Sequence, residues 1–110
     1  VMNLIGDVEG KTAVIIDDIV DTAGSLCEGA RALEKRGAKR IFASCSHAIL
    51  SDPAVQRINE APIEKLVITD TIPLPPEKQS DKFVVLSLAD ALGDVMMRIQ
   101  SHRSVSQLFR

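Results

Sequence analysis

Three consecutive β-branched residues, Val14, Ile15 and Ile16, run straight into a pair of aspartates, and the small residues that follow lead into an amphipathic helical pattern. A β-branched run of this kind is a strand signal. The pattern at residues 24–36 places Leu26, Cys27, Ala30 and Leu33 on one helical face, with Glu28, Arg31, Glu34 and Lys35 elsewhere and Gly37 as the stop. Strand, acidic turn and helix in that order are the start of a βαβ unit. The same alternation continues down the chain, so the expected class is α/β, a mainly parallel sheet flanked by helices.

Further elements follow from local signals. Residues 1–5 and 12–16 flank a five-residue connection, Gly6 to Gly10, with glycine at both ends, which predicts an N-terminal antiparallel hairpin. The run at 14–16 reads as a central strand covered on both faces, ending at Asp17. Residues 41–45 predict the next strand. Ser51, Asp52 and Pro53 then predict a cap followed by proline at the first helical position, with a short helix through Ile58. Residues 66–69 form another buried strand, and Pro73, Pro75 and Pro76 make residues 70–81 a loop. Residues 83–86 are a strand. Ser87 and Asp90 suggest a capping box for a helix whose apolar face is Leu88, Ala91, Leu92, Val95, Met96 and Ile99. Residues 104–109 are expected to add a short terminal strand.

Composition limits the function classes. At 110 residues and 45% hydrophobic, the chain has room for one core. A net charge of −2 lacks the basic excess of a nucleic-acid surface, and three Phe with no Tyr or Trp leave little to stack on a base. Partners are therefore expected to be small molecules or other subunits, with no nucleic acid and no membrane, since no apolar stretch approaches the roughly 20 residues needed to span a bilayer. Cys27 and Cys45 fit no metal-ligand spacing and read as buried thiols in a reducing compartment, hence a cytoplasmic location. The chain starts inside a strand-like run with no leader, which reads as part of a longer protein.

Ligands of open α/β sheets bind at the carboxyl ends of strands, and here that end reads Asp17, Asp18, Ile19, Val20, Asp21, Thr22, Ala23, Gly24, Ser25. Small residues from Thr22 to Ser25 let the backbone approach a phosphate, whose charge is favoured by the helix N-terminus. Thr22 and Ser25 add hydroxyls, and Gly24 is where glycine's conformational freedom is expected to be used. No lysine lies in the loop and GxxxxGK[ST] is absent, so a monophosphate suits it better than a nucleoside triphosphate. Asp17 and Asp18 are acceptor-only carboxylates, suited to the vicinal hydroxyls of a sugar carried on that phosphate. Crowding acids into one turn has no structural advantage, because like charges repel.

The segment VIIDDIVDTAGS resembles the phosphoribosyl pyrophosphate loop of phosphoribosyltransferases and ribose-phosphate pyrophosphokinases, two acids and two apolar residues followed by DTxG[ST]. VMNLIGDVEGK before it, RGAKRIFASCSHAILSDPAVQRI and VITDTIPL after it, and SVSQLF at the end look like the C-terminal domain of the pyrophosphokinase family in the same order. The resemblance implies a type I phosphoribosyltransferase-like fold, with residues 1–110 as part of that domain and the N-terminal domain absent. It implies transfer of the β,γ-pyrophosphoryl group of ATP to the 1-hydroxyl of ribose 5-phosphate, with Mg²⁺, in a homo-oligomer, a hexamer. Asp17 and Asp18 would face the ribose hydroxyls; Asp21, Thr22, Ala23, Gly24 and Ser25 would wrap the 5-phosphate. Ala23 stands where many relatives have glycine and Ser25 where threonine is commoner. The family's ATP pocket, metal-binding His and catalytic Lys and Arg would all lie outside this stretch, leaving no catalytic residue in it. Ser104 and Ser106 match serines that in relatives serve an allosteric phosphate or ADP site between subunits.

His47 reads as a packed or capping histidine, and Asp70 and Thr71 as possible walls of the site. A phospho-accepting receiver domain is a rival fold of similar length, and Asp70 could be its acceptor. However, residues 86–101 contain no lysine, and that reading leaves the TAGS loop unexplained. Another phosphoribosyltransferase would need an aromatic base-binding hood, and a silent regulatory homologue would have no use for an intact DDIVDTAGS.

Overall fold

The computed structural model describes residues 4–110. Four strands, β1 (Thr12–Val20), β2 (Arg40–Ala48), β3 (Lys65–Thr69) and β4 (Phe83–Leu86), form one all-parallel sheet in the order β1-β2-β3-β4. Helices α1 (Gly24–Lys35) and α2 (Ala54–Glu60) connect the first three strands, and α3 (Ala89–Gln100) follows the last. The α/β class and the parallel sheet are as the sequence implies. Among the described residues, no helix is long and apolar enough to cross a membrane.

The core lies on one face of the sheet. Ile41, Ala43 and Cys45 of β2 and Leu66 and Ile68 of β3 are buried at alternate positions, as the period of two requires. They meet Leu26, Cys27 and Ala30 of α1 and Ala54 and Ile58 of α2. Each fully buried Ile or Leu contributes about 1.5–3 kcal/mol by leaving water. Lys82 donates through Nζ to the carbonyls of Ile58, Asn59 and Ala61, capping the end of α2 with a positive charge where the helix dipole favours one. At the end of α1, Gly37 takes φ +91° and its N–H bonds Glu34 O while Ala38 N–H bonds Leu33 O. A Cβ there would sit 3.0 Å from Glu9 Cγ, so glycine is needed on both counts.

Several expectations are corrected. The antiparallel hairpin is not supported: its first arm, residues 1–5, lies partly outside the described residues, and Leu4 and Ile5 belong to no strand. The turn at 7–11 is tied across to the end of α1 instead, with Gly10 N–H to Gly37 O and Lys39 N–H to Lys11 O, both 2.8 Å. Among the described residues β1 lies at the edge of the sheet, where a central strand was expected, and its second face is open, with Val14 59% and Ile16 81% exposed. It also continues past Asp17 to Val20, because pairing with β2 persists through Ile19 with His47 and Val20 with Ala48.

Pro53 precedes α2 as its cap residue, so the helix proper starts at Ala54. The Ser87–Asp90 capping box is replaced by a longer-range cap. Leu88 N–H donates to Asp70 Oδ1 at 2.8 Å, and only Ala89 N–H bonds Ser87 Oγ. α3 has the expected apolar stripe, yet none of its residues is buried. No terminal strand forms: His102 takes φ +56°, Arg103 N–H closes back on Arg98 O, and the chain ends in a 3-10 turn, Ser106–Phe109. That reversal at the end of α3 turns the backbone away from extension.

Candidate functional site

Because the sheet is parallel, the carboxyl ends of all four strands share one edge, and β1 carries the acids to it. Val20 is buried and anchors the turn. Its carbonyl accepts hydrogen bonds from Ile49 and Leu50 N–H at 3.0 and 3.2 Å, which fixes the start of the loop to the β2–α2 connection. The chain then reverses into α1 at Ala23, which takes the left-handed conformation, φ 63° and ψ 15°, while 5% exposed. For an L-residue this costs roughly 1–2 kcal/mol. The positive φ therefore falls on Ala23 and not on Gly24, whose conformation any residue could adopt. An added Cβ at Gly24 would meet Arg57 Nη1 at 3.5 Å.

A cleft of about 210 Å³ opens here, lined by Asp17 and residues 19–26. It gathers Asp17, Asp21, Thr22, Ala23, Gly24 and Ser25, six of the seven residues expected to bind a sugar phosphate. Asp18 is not in the lining. Its carboxyl is held below the ordinary carboxylate value, first by hydrogen bonding with the Asp17 carboxyl and then by Ile19 N–H at 2.8 Å, with a smaller contribution from His47. No Lys, Arg or His lines the cleft. What it offers an anion is the set of amides around Ala23 and Gly24, two hydroxyls and the N-terminal end of α1, whose first turn carries no acid.

Opposite Asp17 in the sheet stands Cys45, whose thiol is pushed up to about 11, by burial first and then by the Asp17 charge. Burial raises Cys27 as well. Both thiols stay protonated at neutral pH and are unsuited to nucleophilic chemistry.

His47, at the end of β2, has Nδ1 2.8 Å from Thr71 Oγ1, and that hydroxyl donates to Ser46 O at 3.1 Å. Asp70, turned towards α3, is held below its ordinary value by Ser87 and then by Leu88 N–H. It is a helix cap in this fold, while Thr71 braces the histidine. Ser104 and Ser106 lie beyond α3 with their hydroxyls 2.9 Å apart, where Arg98 holds the Ser104 carbonyl at 3.0 Å; neither lines the cleft. Among the described residues, no group of three or more His, Cys, Asp or Glu is placed to hold a metal ion.

One residue of the site's surroundings has no signal in the sequence. Arg57, on α2, donates from Nη1 to the Thr22 carbonyl at 3.0 Å across 35 residues of chain. In the sequence it is one more charge on the polar side of a short helix.

Residues 1–110 match the family described as the phosphoribosyl synthetase-associated domain. The chain is 53% identical over 109 residues to ribose-phosphate pyrophosphokinase 1 of Listeria monocytogenes, covering 99% of this chain and 34% of that protein. With the ribose-phosphate pyrophosphokinase of Synechococcus elongatus it shares 47% identity over 111 residues, covering 100% of this chain and 34% of that one. The crystal structure of phosphoribosylpyrophosphate synthetase from Mycobacterium smegmatis is similar with a TM-score of 0.87 at 34% identity, over 89% of this chain and 33% of that chain. The chain thus spans about a third of the length of these relatives. With a family match from end to end, and a sheet and helices that overlay a synthetase of that name, the chain belongs to the phosphoribosyl synthetase-associated domain family.

Proposed function

We propose that this chain binds ribose 5-phosphate as one part of a ribose-phosphate pyrophosphokinase. The observation that carries this is the single cleft in which the Asp17 carboxylate stands beside the small-residue loop from Asp21 to Ser25. Amides and hydroxyls suit a phosphate monoester, and a carboxylate beside them suits the hydroxyl donors of the attached sugar. Titration calorimetry with ribose 5-phosphate, inorganic phosphate and ribose tests it. Ribose 5-phosphate is expected to bind more tightly than phosphate, and ribose alone not measurably. Equal affinity for phosphate and ribose 5-phosphate would remove the sugar from the proposal.

In the complete enzyme the ribose 1-hydroxyl oxygen attacks the β-phosphorus of ATP. A new O–P bond forms, the bond from the bridging α,β oxygen to the β-phosphorus breaks, AMP leaves, and the hydroxyl proton is released. This chain's part is to hold the sugar phosphate at its far end and orient the ring through Asp17. Mg²⁺ and ATP belong to the proposal for the whole enzyme, working in the cytoplasm as a homo-oligomer. The ligands of the ion are proposed to lie mostly outside this stretch, whose described residues hold no cluster of three or more His, Cys, Asp or Glu. Incubated alone with ATP, Mg²⁺ and ribose 5-phosphate, the chain is expected to yield no phosphoribosyl pyrophosphate. Product above the blank, measured by coupled nucleotide synthesis, would overturn that division of labour.

Ser104 and Ser106 are proposed as hydroxyl donors to a regulatory phosphate or ADP. The support is their adjacency, with both hydroxyls exposed on a turn that Arg98 holds. Changing both to Ala in the complete enzyme is expected to weaken phosphate activation or ADP inhibition and leave ribose 5-phosphate affinity unchanged. Superimposable regulatory curves would reject the assignment.

A further inference from the structure

The cleft poses an electrostatic problem. Two carboxylates, Asp17 and Asp21, line it, no cationic side chain does, and the proposed ligand is a phosphate monoester with close to two negative charges at neutral pH. The helix N-terminus and loop amides provide partial charges only, and an amide helps only if its N–H points at the phosphate. The loop must therefore be held in one conformation, and Ala23 holds a left-handed one that an alanine does not favour.

We infer that Arg57 is the positioning residue of the phosphate loop: by gripping the Thr22 carbonyl it fixes the Ala23 amide as a phosphate donor and sets a full positive charge behind it. In a trans peptide the carbonyl and the following N–H point in opposite directions. A hydrogen bond that holds Thr22 C=O thus also fixes the direction of Ala23 N–H. Arg57 Nη1 makes that bond at 3.0 Å, and the guanidinium lies beside Gly24, 3.5 Å from the place of a Cβ. Arg57 itself is not in the cleft lining, so it acts from outside the pocket through the backbone. A charged donor also polarises the peptide it bonds, which makes the Ala23 N–H a better donor in turn. The opposite end of the turn is already tied, by Ile49 and Leu50 N–H on Val20 O and by Cys27 N–H on Ala23 O. Thr22 is the point between those ties, and the link from α2 closes the frame.

The inference rests on the proposed binding of ribose 5-phosphate, and the test separates the two. Arg57→Leu, Arg57→Lys and the parent chain are titrated with ribose 5-phosphate and with inorganic phosphate. Amide hydrogen exchange at Ala23 and Gly24 is followed by NMR without ligand, and the thermal midpoint of each protein is recorded. The leucine variant is expected to lose about tenfold in affinity for both ligands, the scale of one charge-assisted hydrogen bond. Its midpoint should stay close to the parent's, because the side chain is exposed. Exchange at Ala23 and Gly24 should speed up, and lysine, which keeps a charged donor, should restore part of the affinity. A leucine variant that binds both ligands as the parent does overturns the inference. Equal loss in the leucine and lysine variants, tracking a lowered midpoint, also overturns it, as that is the mark of a merely structural tether. If the parent binds neither ligand, the ribose 5-phosphate proposal falls; unchanged exchange in the leucine variant would then sink the loop-positioning role as well, whereas faster exchange would uphold it.

Discussion

Gly24→Val is expected to abolish binding of ribose 5-phosphate and inorganic phosphate together, whereas Gly24→Ala is expected to retain both. The backbone at Gly24 is one that any residue adopts, so strain does not distinguish the two variants. Space does. A Cβ meets Arg57 Nη1 at 3.5 Å, an ordinary contact, but the two γ-methyls of valine extend beyond it and crowd the guanidinium that holds Thr22. Overpacking of this kind forces backbone shifts that cost about 1–3 kcal/mol, and here the backbone that shifts is the phosphate cradle. Phosphate is the decisive probe because it has no sugar to compensate. A valine variant that binds phosphate like the parent would show that the loop amides are not the phosphate contacts.

Most of what places the cleft is local and so was legible in the sequence. β-branched residues 14–16, small residues 22–25, an apolar helical face and Gly37 as a stop each act within a few residues of themselves, and the structure has the start of β1, α1 and the turn at Gly37 where they imply. What was not legible depends on partners far along the chain. Whether Val14–Ile16 is covered on one face or two depends on what packs against it, and a β-branched run looks the same in an edge strand and a central one. The capping box at Ser87 had the right residues, but Asp70 approaches from the end of β3 and takes the Leu88 amide first. Likewise the glycine of the loop drew attention to Gly24, when the left-handed position is the alanine before it. Arg57 and the His47–Thr71 pair join elements separated by dozens of residues, and neither has a spacing that could announce it.

Asp17→Asn should produce the opposite pattern from Gly24→Val, with sugar recognition lost and phosphate binding kept. Asparagine matches aspartate in size, so the cleft keeps its shape, but the charge-assisted hydrogen bond to a ribose hydroxyl becomes a neutral one. The difference between a charged and a neutral hydrogen bond is about 1–1.5 kcal/mol, or roughly tenfold in affinity for ribose 5-phosphate. Inorganic phosphate never touches the sugar position and is freed from one repelling carboxylate, so its affinity should hold or rise. The sheet supplies an independent check that the substitution has removed the charge without disturbing the fold. Cys45 lies opposite Asp17, and its thiol is raised to about 11 first by burial and second by that carboxylate. In the variant the Cys45 pKa should fall but remain above the ordinary thiol value, which the Cβ chemical shift of Cys45 followed by NMR against pH reads without needing access to the buried thiol. With that shift observed, an Asp17→Asn chain that binds ribose 5-phosphate as tightly as the parent would leave no sugar-binding role for the carboxylate.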